Sequence, residues 1–146
     1  MWRLIGITLP QYKDWEKEKQ IIKTLLQNNE IEYFHIRKPE FTSVQMSLWL
    51  EDLPLAIRKR LSLHDCLEVA KEFQIGGVHL NKRNNYASPF AFEGRISRSC
   101  HSIEEVKEWK PKCDYVFLSP IYNSISKGGY EAKFSKEELQ KAVKQG

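Results

Sequence analysis

At 146 residues, with 29% of them charged and a formal net charge of +4, the chain suffices for one domain with a sizeable core, and its mixed charges do not indicate a nucleic-acid-binding surface. The three cysteines, Cys66, Cys100 and Cys113, have no Cys-x-x-Cys spacing and indicate neither a disulfide scaffold nor a zinc site. The chain has no apolar run of membrane-spanning length and no signal-peptide pattern at its start, so we expect a cytoplasmic protein that does not bind membranes.

Strands and helices are predicted to alternate from the start of the chain. A short apolar strand covers residues 3–8, and an amphipathic helix with an apolar stripe covers residues 14–27. A second strand follows at residues 33–36. Either Thr42 or Ser43 then caps the next helix, because both hydroxyl side chains accept hydrogen bonds from the first helical turn.

The same alternation is predicted for the rest of the chain. A third strand at residues 61–63 leads into a helix through Leu67 and Phe73, and strands four and five cover residues 77–80 and 95–99. The next helix has Ser102 as its N-cap, with Glu105 completing a capping box. A sixth strand covers residues 114–118, and Ser135 begins a last helix in the same manner. No linker composition marks a domain boundary.

Six consecutive strand–helix units predict an α/β fold of the TIM (β/α)₈-barrel type. Such a barrel usually takes roughly 200 residues or more, and six strands leave two open edges, which is an aggregation hazard. We therefore expect residues 1–146 to form a single barrel domain that lacks strands seven and eight at its C-terminal end. Otherwise, another chain must cover the opening.

Polar side chains cluster at the ends of these predicted strands. His35 closes strand two, His64 and Asp65 follow strand three, His79 lies in strand four, and His101 follows strand five. The carboxyl ends of parallel strands meet at one edge, where loops place polar groups around a shared pocket. Scattered surface histidines would not follow strand ends so regularly, and the pattern therefore predicts an active or binding site at that edge.

Five segments, in the right order, resemble the thiamine phosphate synthase and TenI-like superfamily. They are residues 35–39 (HIRKP), 63–65 (LHD), 77–80 (GVHL), 99–106 (SCHSIEEV) and 114–127 (DYVFLSPIYNSISK). The resemblance covers essentially the whole chain and implies a TIM barrel that acts in thiamine biosynthesis. It also implies that the two strands that hold thiazole phosphate in this family lie beyond Gly146.

Two reactions of this superfamily are implied as alternatives. The synthase joins an aminopyrimidine methyl diphosphate to thiazole phosphate and uses Mg²⁺ and cations to neutralise the departing pyrophosphate. The TenI-like tautomerase moves a proton around a thiazole carboxylate phosphate and requires no cofactor. Its reaction needs one acid–base group, and a histidine suits that role near neutral pH.

Departures from the synthase pattern favour the tautomerase. Pro39 replaces a lysine that meets pyrophosphate, although Lys38 could partly substitute, and His64 replaces an asparagine. Asn84 replaces the second magnesium-binding aspartate, which leaves Asp65 as the one weak metal ligand because Mg²⁺ prefers carboxylates. The residue that matches the tautomerase histidine, His101, is present, although synthases often carry a histidine there too.

The resemblance implies His101 as the catalytic acid–base group. The residues expected to bind substrate and phosphate are His35, Arg37, Lys38, His64, Ser99, Ser124, Ser126 and Lys127. Several residues also have a structural alternative: His101 as a helix-capping neighbour, His35 and His79 as hydrogen-bonded barrel-wall residues, His64 and Asp65 as a local turn pair, and Lys127 as a solvated side chain. For His79 the structural role is favoured.

The expected partners are small phosphorylated thiazoles and, for a synthase, a pyrimidine diphosphate, with no nucleic acid and no membrane. A homo-oligomer is compatible with the sequence. A third hypothesis is a non-catalytic relative that binds thiazole or thiamine phosphates. Sequence alone does not separate such a binder from a slow enzyme.

Overall fold

The structure, a computed structural model, describes residues 4–82, 84 and 92–118. Within these residues the strands are β1 (Ile5–Ile7), β2 (Tyr33–Ile36), β3 (Leu61–Leu63), β4 (Gly77–Leu80), β5 (Arg95–Cys100) and β6 (Tyr115–Leu118). The α-helices are α1 (Trp15–Gln27), α2 (Ser43–Leu50), α3 (Leu55–Arg58) and α4 (Ile103–Trp109), and single 3₁₀ turns cover Leu67–Val69 and Lys110–Lys112.

The strands form one sheet whose spatial order follows the sequence, β1-β2-β3-β4-β5-β6. The pairs β1–β2, β2–β3 and β3–β4 are parallel, and His35 lies opposite Ile7 on one side and Ser62 on the other. A doubly wound sheet would reverse its strand order at a switch point, whereas sequential parallel strands are the arrangement of a (β/α) barrel. The predicted TIM-barrel type with six strands is therefore confirmed.

The chain divides into two compact units, Met1–Ser97 and Arg98–Gly146. In the first unit, an apolar layer between the strands and helices α1 and α2 forms the core. Its most buried members are Ile22, Leu26, Ile36, Met46, Trp49, Leu50, Leu61, Leu63 and Leu80. Ile22 and Leu26 lie four positions apart on α1 and therefore share one helix face, as the predicted stripe requires.

Side chains cap the starts of α1 and α2, and the cap of α2 was predicted as either Thr42 or Ser43. Asp14 caps α1 by accepting a hydrogen bond from the Lys17 backbone N–H. Thr42 caps α2 in a full capping box, because Gln45 donates to its hydroxyl and accepts from its backbone N–H. Such caps contribute about 1 kcal/mol each by satisfying otherwise unpaired helix N–H groups.

The helix predicted through Leu67 and Phe73 is wrong. Only a 3₁₀ turn forms, because Cys66 (φ 55°) and Gln74 (φ 55°) adopt left-handed backbone conformations that bound the segment on both sides. The short helix α3 was not predicted. It begins after Pro54, whose fixed φ suits a helix start.

In the second unit, Ser102 caps α4 by accepting from the Glu105 backbone N–H, as predicted. The predicted capping box differs in its second half, because the Glu105 carboxylate accepts from the His101 backbone N–H, one residue before the cap, rather than from the Ser102 N–H. The guanidinium group of Arg98 stacks on the Trp109 ring at 4.0 Å. The last helix, predicted to begin at Ser135, lies outside the described residues. Among the described helices, none has the length and hydropathy needed to cross a bilayer.

Candidate functional site

Three buried histidines lie together in the first unit: His35 on β2, His64 directly after β3 and His79 on β4. The His35 Nδ1 atom is 2.7 Å from the His64 Nε2 atom, and the His64 and His79 rings stack with their centroids 4.1 Å apart. One nitrogen from each ring lies within 4.8 Å of the other two. We call His35, His64 and His79 the histidine cluster. It brings together three residues that are 15 to 44 positions apart in sequence.

Strand alternation explains why these side chains share one face. Ser62 pairs with His35 and with Gly77, and His64 and His79 each lie two residues further along their strands. Side chains two residues apart point to the same face of a sheet. Gly77 leaves room for this layer, since a Cβ atom there would lie 2.3 Å from the Ser62 hydroxyl oxygen.

Ser97 of β5 extends the cluster through a hydrogen bond. Its hydroxyl oxygen is 2.7 Å from the His79 Nδ1 atom and 3.5 Å from the Val78 carbonyl oxygen. If the hydroxyl donates to that carbonyl, it must accept from His79 Nδ1–H. The Nε2 atom of His79 then carries the lone pair of the neutral ring.

The environment of His35 favours its uncharged form. Burial, and secondarily the positive charge of Arg95, lowers the pKa of His35 to about 3. The Arg95 guanidinium lies 3.8 Å from the Tyr33 ring centre and donates to the carbonyl oxygens of Lys59 and Leu61. At neutral pH the His35 ring is therefore neutral, which fits its close contact with His64.

Two asparagines hold the backbone of His64. The side-chain amides of Asn81 and Asn84 donate to its carbonyl oxygen at 3.0 Å and 2.7 Å. Asn81 also accepts from the Asn84 backbone N–H through its side-chain oxygen. The loop after β4 thereby fixes the end of β3, next to the predicted metal ligand Asp65.

The Asp65 carboxylate is buried and already hydrogen-bonded. Its Oδ2 atom accepts from the Lys38 backbone N–H at 2.8 Å, and its Oδ1 atom accepts from the Asn84 side-chain amide at 3.3 Å. It lines an open cleft of about 370 Å³. The other lining residues are Pro39, Phe41, Thr42, Ser43, Cys66, Glu68 and Asn84.

The Mg²⁺ ion of the synthase reaction does not fit the described residues well. Mg²⁺ takes carboxylates and waters in an octahedral arrangement, and here one carboxylate faces an amide N–H group of Asn84 rather than a second carboxylate. Glu68, the other acid of the cleft, accepts a hydrogen bond from the Ser43 hydroxyl. The cleft therefore offers Mg²⁺ the Asp65 carboxylate facing an amide, in place of a facing carboxylate pair.

The side chain of Lys38 lies in the interior of the first unit. Its ammonium group forms a 2.7 Å ion pair with Glu18 of α1 and donates to the Leu9 carbonyl oxygen at 2.9 Å. Glu18 also accepts from the Trp49 indole N–H. A phosphate contact by Lys38 stays a prediction, and it would require the ammonium group to leave this buried ion pair.

The other predicted site residues are found as follows. The Arg37 backbone exchanges hydrogen bonds with the Thr8 hydroxyl, near the carboxyl ends of β1 and β2. In the second unit, Ser99 lies in β5 and His101 directly follows it, and both are partly exposed. Ser124, Ser126 and Lys127 lie outside the described residues, so their convergence with His35 and Asp65 stays a prediction.

The positions of the histidines at strand ends were predicted from the sequence, whereas the contact between their rings was not. His79 was predicted to be a hydrogen-bonded wall residue, and its ring also stacks on that of His64. The alternation of side chains along the strands would have predicted this contact. His35, His64 and His79 occupy alternate positions that place them on the same face of the sheet as Ser62 and Gly77. The roles of Ser97 and Asn81, which hold the cluster, had no comparable signal.

Comparison with known proteins agrees with this architecture. A family model described as thiamine monophosphate synthase matches residues 4–146. A solved structure named thiamine phosphate pyrophosphorylase from Bacteroides thetaiotaomicron has a TM-score of 0.80 and 34% identity; the match covers 99% of this chain and 66% of that one. No curated protein sequence matches the chain.

A second solved structure, named thiamine phosphate pyrophosphorylase from Pyrococcus furiosus, has a TM-score of 0.67. Its identity is 17%, and the match covers 99% of this chain and 81% of that one. At this identity the likeness supports the fold alone. The family match over residues 4–146 identifies the chain as a member of the thiamine monophosphate synthase family.

Proposed function

We propose that this protein is a TenI-like thiazole tautomerase, which rearranges a thiazole carboxylate phosphate to its aromatic form. The observation that carries the proposal is the hydrogen bond from the Asn84 amide to the Asp65 carboxylate. A diphosphate-releasing enzyme needs concentrated positive charge from Mg²⁺ and cations. An amide in place of the second carboxylate weakens such a metal site, whereas a proton transfer does not need one.

The reaction requires a group that gives and takes a proton near neutral pH, and we assign this role to His101. It is partly exposed and follows β5 directly. Its ring can therefore reach a substrate while its backbone N–H is held by Glu105. Ser99, Ser124, Ser126, Lys127 and Arg37 are assigned to the phosphate and ring contacts of the substrate.

A thiamine phosphate synthase is the second candidate. The name of the Bacteroides structure, which is 34% identical, favours this activity. The synthase would use an aminopyrimidine methyl diphosphate, a thiazole phosphate and Mg²⁺, with Asp65 as the one carboxylate facing Asn84. We place either activity in the cytoplasm, where Cys66, Cys100 and Cys113 would remain reduced thiols.

The deciding experiment gives the full protein both substrate sets in parallel. We expect isomerisation of the thiazole carboxylate phosphate, followed by NMR, to proceed in the presence of a chelator. Pyrophosphate release from the diphosphate and thiazole phosphate should stay slow at saturating Mg²⁺. Thiamine phosphate formation at roughly 1 per second or faster, a common enzyme rate, would establish the synthase instead.

A third outcome separates an enzyme from a binding protein. A relative that only senses thiazole or thiamine phosphates would be stabilised thermally by these ligands through mass action without converting them. Ligand-dependent stabilisation with neither isomerisation nor pyrophosphate release would therefore replace both enzymatic proposals.

A further inference from the structure

The histidine cluster has the composition of a transition-metal site. Imidazole nitrogens are common ligands of zinc and of neighbouring divalent metals, and three of them with an open fourth position form a frequent metal site. Here three neighbouring strands, β2 to β4, supply one histidine each, His64 immediately after β3. The three nitrogens lie within 4.8 Å of one another.

The spacing lies close to that of a metal-bound triad. A zinc–nitrogen bond of about 2.0–2.1 Å in tetrahedral geometry separates ligand nitrogens by roughly 3.3 Å. The His35 Nδ1 and His64 Nε2 atoms, 2.7 Å apart, must open slightly to admit an ion. The His79 ring, stacked on His64, must turn toward the same point. Both changes are rotations of side-chain rings on one face of the sheet and need no change of strand register.

The surroundings of the cluster resemble the outer support of a metal site. Histidine ligands usually donate their second ring N–H to a nearby oxygen, which fixes the ring and its tautomer. The 2.7 Å contact between His79 Nδ1 and the Ser97 hydroxyl is of this kind. The amides of Asn81 and Asn84 on the His64 carbonyl oxygen restrain a second ligand through its backbone.

Ser62 provides an independent observation on the same face of the sheet. It is 1% exposed, pairs with His35 in register and precedes His64 by two residues. In the described part of the chain its hydroxyl oxygen has no hydrogen-bond partner. A buried polar atom of this kind commonly contacts a water molecule or an ion, such as the water on an open metal position.

We propose that His35, His64 and His79 bind one divalent transition-metal ion of the zinc class, with water in the remaining position. This site differs from the Asp65–Asn84 cleft, whose described lining residues include no histidine. The positive charge of Arg95, toward the amino ends of the same strands, opposes a cation. We therefore expect an affinity below that of structural zinc sites.

The test measures metal binding without substrate, so its result is independent of the tautomerase proposal. The full chain is stripped with a chelator and titrated with Zn²⁺ against a competing indicator, and with Co²⁺ for its visible spectrum. We expect one ion per chain and cobalt bands that indicate nitrogen ligation without a sulfur charge-transfer band. His64→Asn, which restores the asparagine of the synthase pattern, should weaken Zn²⁺ binding at least about tenfold.

Three further variants locate the ion. Ser97→Ala should lower the affinity about 10- to 100-fold although all three ligands remain. Asp65→Asn and His101→Asn should bind Zn²⁺ as the wild-type protein does. Circular dichroism checks that each variant is folded, and His35→Gln replaces His64→Asn if the latter fails this check.

Two results would overturn the proposal. Zn²⁺ binding that survives in folded His64→Asn or His35→Gln protein would exclude the cluster. Binding lost in Asp65→Asn but kept in His64→Asn would assign the metal to the cleft instead.

Discussion

The four histidines of this chain lie in two different environments. His35 and His79 are fully buried, His64 is 5% exposed, and their rings contact one another within the first unit. His101 lies in the second unit, partly exposed, with its backbone N–H bound to the Glu105 carboxylate just before α4. The first three therefore share one enclosed polar layer, whereas the fourth lies directly after β5 and is partly exposed.

This difference separates two kinds of histidine chemistry. Protonating a buried imidazole costs desolvation energy, which suits a metal ligand or a structural hydrogen bond. A general acid–base group must instead exchange protons with substrate or solvent near neutral pH. For this reason we assign proton transfer to His101, and binding or structural roles to the histidine cluster. Variants of His101 and His79 test this assignment most directly.

The largest expected effect is on catalysis by His101. Replacing it by asparagine should lower the kcat of thiazole tautomerisation by about 10²–10⁴, the usual contribution of a positioned acid–base group. Steady-state kinetics on the full protein measures this loss, and chemical denaturation should show little change in stability, because the Ser102 cap remains. A variant with near-wild-type turnover would return His101 to a helix-capping role and direct attention to Ser99.

For His79 we expect the opposite result, a loss of stability with little loss of kcat. His79→Ala removes the hydrogen bond to Ser97 and the stacking contact with His64, and it leaves a cavity. The free energy of unfolding should fall by about 2–4 kcal/mol, measured by urea denaturation. The folded fraction should keep most of its kcat. If kcat fell by orders of magnitude in folded protein, the assignment of chemistry to His101 alone would fail.

The sequence predicted the strand order and most helix caps because these depend on local patterns. Ser102 was predicted as the cap of α4 and Thr42 as one of two candidates for the cap of α2, and both accept the capping hydrogen bond. The segment after Asp65 was misjudged as a helix because its apolar spacing is helical. Cys66, which precedes that segment, adopts a left-handed backbone conformation. The amino-acid composition of the segment does not indicate this conformation.

The site was less predictable than the fold, for a physical reason. Strand-end positions of His35 and His64 follow from alternation, but the 2.7 Å contact between their rings depends on register and rotamer. The ion pair between Lys38 and Glu18 likewise joins residues 20 positions apart. It holds the Lys38 side chain, which was expected to bind phosphate, in the interior of the first unit. Such long-range pairings require the packed structure.

A pH titration should expose the buried state of His35 in metal-free protein. Its pKa is about 3 in the folded protein, against an ordinary value of 6.5, so between these values the unfolded chain binds more protons. This contribution to stability is complete above pH 6.5 and is lost as the pH falls toward 3, by at most about 1.4 kcal/mol per pH unit. Urea denaturation between pH 6.5 and 5, above most carboxylate titrations, measures the slope.

His35→Gln is the matched control for this slope, because it keeps a polar side chain of similar size without a titrating ring. Its stability should vary less with pH over the same window. Equal slopes in the two proteins would show that His35 does not titrate as a buried group.

The smallest expected effect concerns the cleft beside the cluster. Asn84→Asp removes the amide donors to Asp65 and to the His64 carbonyl oxygen and places two carboxylates together. Mg²⁺ binding, measured by calorimetry, should tighten on the order of tenfold, while the metal-free protein loses stability.

Asn81→Asp is the matched control: it adds the same charge in the same loop, but Asn81 contacts His64 rather than Asp65. If both variants tightened Mg²⁺ binding equally, added charge in the loop, and not a restored carboxylate pair, would be the cause.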